Sequence, residues 1–173
     1  MRKITKRIIA TLLAAAMLTS LTACGGNNTS STGTTNSSAT ESSVNASAPA
    51  DITSKIMGDI KFPSMAEIKS DRLSTYYDVD ADKIEAFSAY ICGSGAYPDE
   101  IAVFKMKSAD DVNAVKTVLD KRVESQTTTF KDYTPDEMYK IDGKNVIISG
   151  NYIALIICSD NAGATATFNS MTK

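Results

Sequence analysis

Ile52, Ile56 and Ile60 recur every fourth residue behind Pro49, which lays one apolar stripe along a short first helix that Phe62-Pro63 ends. A short second helix fits Asp71 to Tyr77. Between Lys83 and Cys92 the residues Ile84, Ala86, Phe87, Ala89, Tyr90 and Ile91 fit a strand, since Gly93-Ser94-Gly95 and Tyr97-Pro98 then supply turn chemistry. A second strand runs from Glu100 to Lys107, with Ile101, Val103 and Lys105 on one side and Ala102, Phe104 and Met106 on the other. Ser108-Ala109-Asp110-Asp111 has the pattern of a helix cap, and Val112, Val115, Leu119 and Val123 follow down one face of the longest helix. Thr134-Pro135-Asp136-Glu137 reads as another helix start, closed by Asp142-Gly143. Gly150-Asn151 suits a tight hairpin, and Tyr152 to Cys158 is apolar almost throughout, the mark of a central strand covered on both faces. A final helix is expected from about Asn161 to Met171.

The resulting order, α-β-β-α-β-β-α, predicts an α+β fold: a two-layer sandwich in which helices cover one face of an antiparallel four-stranded sheet. This folded domain is expected to span residues 51–173. Residues 25–50 have a different texture, because Ser, Thr, Asn and Gly make up 19 of the 26 positions and Glu41 is the only charge. Such a stretch has no apolar surface to offset the entropy of ordering, so residues 24–50 are expected to form a tether with a mean span of about 28 Å.

The opening of the chain differs again. Arg2, Lys3, Lys6 and Arg7 precede an uncharged apolar run from Ile8 to Ala23, which is the layout of a secretory signal peptide over residues 1–23. The run is short for a permanent span, which needs about 20 apolar residues. Leu21-Thr22-Ala23-Cys24 resembles the lipobox of bacterial lipoproteins. The resemblance implies cleavage before Cys24, a diacylglycerol on its thiol, and attachment to the extracytoplasmic face of the cell membrane. Two acyl chains anchor stably where one is marginal.

Charge narrows the partners. The whole chain carries 20 acidic and 18 basic side chains, and losing the four basic groups of residues 1–23 leaves 14 basic groups and a net charge of −6. Nucleic acid is therefore not an expected partner, and the membrane grip must come from lipid. The chain has no His, which excludes Ser-His and Cys-His catalysis and His-ligated metal centres, and no cofactor is expected.

Within the domain, Asp99-Glu100-Ile101-Ala102-Val103-Phe104-Lys105 with the capped helix to Arg122, and Gly150-Asn151-Tyr152-Ile153-Ala154-Leu155-Ile156-Ile157, resemble the bacterial lipoprotein family called domain of unknown function 4358. That resemblance implies no activity and no catalytic residue.

Candidate chemistry is sparse. Asp78, Asp80 and Asp82 alternate like the start of a calcium loop, but Lys83 and Ala89 stand where Gly and Glu are required, so an acidic turn is expected and no metal site. Gly93-Ser94-Gly95 lacks the Gly-Lys-Ser/Thr of a phosphate loop. Ser94 could act as a nucleophile with a Lys base, although no spacing selects the Lys. Asp110-Asp111 and Asp136-Glu137 sit at helix starts, where capping accounts for them. Cys92 and Cys158 each close a strand; outside the membrane a disulfide between them is allowed if the strands are neighbours, and two reduced thiols pack equally well. All seven Tyr lie in the domain, where exposed rings would suit a protein or glycan partner and half-buried ones a small core. These features favour a membrane-anchored extracytoplasmic lipoprotein acting as a non-catalytic binding or interaction module. The alternative is a cell-envelope hydrolase using Ser-Lys or carboxylate chemistry.

Overall fold

The computed structural model describes residues 46–141 and 145–173. The expected signal peptide, Leu21, Thr22, Ala23 and Cys24 of the lipobox-like segment, most of the tether, and Asp142-Gly143 lie outside the described residues. The elements run α1 (Pro49–Asp59), β1 (Met65–Glu67), α2 (Leu73–Tyr76), β2 (Ile84–Cys92), β3 (Glu100–Met106), α3 (Val112–Tyr133), β4 (Val146–Ser149), β5 (Tyr152–Ile157) and α4 (Asn161–Met171). The five strands form one antiparallel sheet in the order β1-β2-β3-β5-β4.

The fold is α+β as expected, but two finer expectations are corrected. The sheet has five strands, because Met65–Glu67 adds an edge strand against Tyr90 to Cys92. Helices cover both faces. Ile52, Ile56, Ala164 and Phe168 of α1 and α4 pack with Ile101, Val103, Ala154 and Ile156 on one side. Leu73, Val112, Val115, Leu119 and Phe130 of α2 and α3 pack with Ala102, Phe104, Met106, Ile153 and Leu155 on the other. Alternation along a strand sends neighbours to opposite faces, so two apolar sets on β3 and β5 demand two covers.

Local chemistry explains the ends. Ser108 accepts a hydrogen bond from the Asp110 N–H (3.2 Å), while Asp111 turns to Lys83 (2.9 Å) and does not complete a reciprocal cap. Asp160 accepts from the Gly163 N–H (2.9 Å) and opens α4. Gly150 has φ +58°, a left-handed conformation that lets β4 turn directly into β5. The helix expected after Thr134 is a tighter 3-10 segment, Pro135–Lys140. Ordered structure also reaches back across the expected boundary at residue 50: the Ser47 N–H bonds the Met171 carbonyl (2.8 Å), and the Tyr152 hydroxyl donates to the Ser47 carbonyl (3.1 Å).

The allowed disulfide is not formed, because Cys92 and Cys158 are both free and buried. They end β2 and β5, and β3 lies between those strands. Two strand spacings amount to about 9–10 Å, beyond the roughly 7 Å that a disulfide can bridge.

Candidate functional site

Two consecutive acidic residues at the head of the central strand are buried on opposite sides of it. Glu100, with no exposed surface, faces the α3 side. It accepts from the Tyr77 hydroxyl (2.6 Å), Arg122 Nε (3.1 Å) and Nη2 (2.8 Å), and Gln126 Nε2 (2.5 Å). Arg122 and Gln126 continue the apolar stripe of Val115 and Leu119, so α3 delivers polar groups where its spacing calls for core residues. Burial, with Glu100 beside it, holds the Tyr77 hydroxyl well above its ordinary pKa. Every oxygen of Glu100 is satisfied, and this cluster is a closed network within the core.

Asp99 is different. It is 1% exposed, and its Oδ2 accepts from Lys140 Nζ at 2.7 Å, but its Oδ1 has no partner. Lys140, at the end of the 3-10 segment, also lies 2.6 Å from Glu137 Oε2. Its ammonium faces the rings of Tyr97 (5.7 Å) and Tyr139 (5.9 Å), a cation-π arrangement on two flanks. The backbone beneath it is fixed. Asn145 Nδ2 donates to the carbonyls of Lys140 (2.9 Å) and Ile156 (2.8 Å), and Asn161 Nδ2 donates to the same Lys140 carbonyl (2.8 Å).

Burial pushes the Asp99 pKa above the usual carboxylate value, against the pull of Lys140. Burial also lowers Lys140, but Asp99 and Glu137 outweigh it and the ammonium stands above the ordinary lysine pKa. These groups border an open cleft of about 410 Å³, completed by Lys61, Phe62, Pro63 and Ser159. The α1–β1 connection, the β2–β3 turn, the 3-10 segment and the β5–α4 turn thus meet at one end of the sheet.

The residues singled out from sequence are mostly elsewhere. Ser94 lies in the β2–β3 turn, with its hydroxyl 3.3 Å from Cys92 Sγ and accepting from the Ala96 N–H (3.3 Å). Asp80 accepts from the Asp82 N–H (3.0 Å) and forms a turn, and among the described residues no cluster of ligands could hold a metal ion. Of the paired acids only Glu137 reaches the cleft, where it pairs with Lys140 in addition to opening its segment. Cys158, just behind Asp99, has its thiol pushed up to about 11 by burial. At Cys92 burial raises the thiol, but the Ser94 hydroxyl and the backbone hydrogen bonds of Tyr97, Ser94 and Ala96 together outweigh it and lower that thiol. Three of the seven Tyr are exposed, Tyr97, Tyr133 and Tyr139, and two of these flank Lys140.

No helix among the described residues is long and apolar enough to cross a membrane. No curated protein and no solved structure matches the chain. The model of the family described as Domain of unknown function (DUF4358) matches residues 58–158, a span that holds Asp99, Glu137 and Lys140, and the chain belongs to that family.

Proposed function

We propose that this chain is a membrane-anchored extracytoplasmic lipoprotein, tethered through a diacylglycerol on Cys24, whose domain binds a ligand in the cleft at the head of β3 without transforming it. The observation that carries the binding reading is the Asp99–Lys140–Glu137 cluster. Charged groups are placed in a cleft, the Lys140 backbone is fixed by two Asn side chains, and Asp99 Oδ1 is buried without a hydrogen-bond partner. Burying an acceptor without a partner costs about 1–3 kcal/mol, and such a cost is commonly retained where a ligand supplies the missing donor. Two exposed aromatic rings beside the cluster add contact area typical of binding surfaces.

The Ser-Lys form of the alternative, a cell-envelope hydrolase using Ser-Lys or carboxylate chemistry, draws on one observation: Lys140 and Ser159 border the same cleft. Against it, a general base must be neutral, and Lys140 is held protonated by two carboxylates. Cys24 and the tether supply the anchoring part of the reading on sequence grounds alone.

The test uses the full chain isolated from its own membrane. Native mass spectrometry is expected to show a diacylglycerol on Cys24 and a non-covalent small-molecule adduct that Tyr97→Ala diminishes. Cys24→Ala should release the protein from the membrane fraction. A chain without acyl mass would end the anchoring reading. Turnover of an envelope glycan or peptide, abolished by Ser159→Ala, would replace the binding module with the hydrolase.

A further inference from the structure

We infer that the cleft at the head of β3 recognises a small organic ammonium group, which Asp99 and Glu137 accept and the ring of Tyr97 flanks. The inference deepens the binding reading above and rests on it. Within the Asp99–Lys140–Glu137 cluster one positive charge faces two carboxylates, the balancing cation being Lys61 on the cleft rim. Lys140 Nζ is already committed to both acids, while Asp99 Oδ1 has no donor. What Asp99 Oδ1 lacks is a hydrogen-bond donor, and an ammonium ion provides one together with a charge that suits a carboxylate.

The walls match. Tyr97, on the cleft wall, already lies against one ammonium, that of Lys140, at 5.7 Å, a distance suited to cation-π attraction. Phe62 and Pro63 add apolar surface for the ligand's carbon frame. Asp99 Oδ1 is out of reach of solvent, so entry requires a side chain to move. Tyr97 borders the same cleft, is 43% exposed and rests on Lys140.

Lys61 distinguishes this reading from its opposite. It is exposed on the cleft rim, so its charge repels an entering cation and attracts an entering anion. Screening of an exposed charge by solvent limits the effect to about twofold in affinity. An anion receptor built on Lys140 and Lys61 would respond in the reverse direction.

Calorimetric titration of the full chain in detergent, with glucosamine and ethylammonium as probes and glucose and acetate as neutral and anionic counterparts, tests the assignment. Both ammonium probes should bind. Lys61→Gln should tighten them about twofold, and Tyr97→Ala should weaken them severalfold. Both variants change exposed side chains, and circular dichroism verifies that each is folded. Acetate binding that Lys61→Gln weakens, or glucose binding equal to that of glucosamine, would overturn the ammonium assignment and leave the binding module standing. Absence of binding by either ammonium probe would also overturn it. If the chain isolated from its membrane then carried no adduct, the binding reading would fall as well.

Discussion

Replacing Lys140 with Met removes the cation from Asp99 and keeps most of the apolar stem. Asp99 is 1% exposed, and Lys140 is its one ion-pair partner among the described residues. Breaking a buried pair from one side typically costs about 3–5 kcal/mol. The cost takes a particular form here. Burial already holds the Asp99 pKa above its ordinary value with Lys140 in place, and without Lys140 it rises further. Each added unit corresponds to about 1.4 kcal/mol, so that further rise carries the loss. An acid whose folded pKa exceeds its unfolded value of about 4 binds its proton more tightly in the folded state, and stability falls as pH rises through that window. Lys140→Met should therefore lie about 3–5 kcal/mol below wild type at pH 7, or about 15 °C in Tm for a domain of this size. The gap should shrink to about 1 kcal/mol near pH 4, where Asp99 is protonated in the folded variant and about half protonated when unfolded, so that mainly packing differs. The double variant Lys140→Met with Asp99→Leu should recover most of the loss at pH 7. Urea unfolding followed by circular dichroism at both pH values reads these differences. A loss of the same size at pH 4 and pH 7 would refute the electrostatic account.

On the alkaline side, stability should fall as pH rises from 9 to 11. The Cys158 thiol, at about 11 when folded against 9.0 as its ordinary value, stays protonated while its unfolded counterpart ionises. Lys140 and Tyr77, both raised, act in the same direction, because the folded state again holds the protons more tightly. Cys158→Ala should flatten this decline by on the order of 3 kcal/mol, and an unchanged slope in denaturant titrations would contradict the buried thiol. Gly150→Ala should destabilise by about 1–2 kcal/mol, since φ +58° is strained for any residue with a Cβ, and a neutral result in thermal melts would argue against the tight β4–β5 turn. Alkylation without reductant should label both Cys92 and Cys158 once the chain is unfolded in urea and neither efficiently before, and recovery of a bridged peptide would contradict the strand order.

Periodic elements were legible in the sequence. The spacing of Val112, Val115 and Leu119 marked α3, and Gly150-Asn151 marked the β4–β5 hairpin. Edge strand β1 was not, because three half-exposed or exposed residues carry no alternation to detect. The second helical cover could have been inferred. Ile101 and Val103 on one side of β3 and Ala102, Phe104 and Met106 on the other are all apolar, which leaves no face for water. The cleft was hidden for another reason. Asp99 directly precedes the expected strand and Lys140 falls inside the helix expected after Thr134, and their 41-residue separation is closed only by tertiary packing. The one signal in α3 concerns the Glu100 network on the other face, where Arg122 and Gln126 occupy core-facing positions and require a buried acceptor nearby.

The central claim, that the cleft at the head of β3 is where this protein meets its ligand outside the membrane, is tested most directly by a photo-cross-linking amino acid. It is placed at Tyr97 in the full-length chain and activated in intact cells. Intact-mass analysis should find an adduct from position 97, and none from position 133, whose ring is 68% exposed and does not border the cleft. Equal adducts at both positions, or no adduct at 97, would contradict the claim.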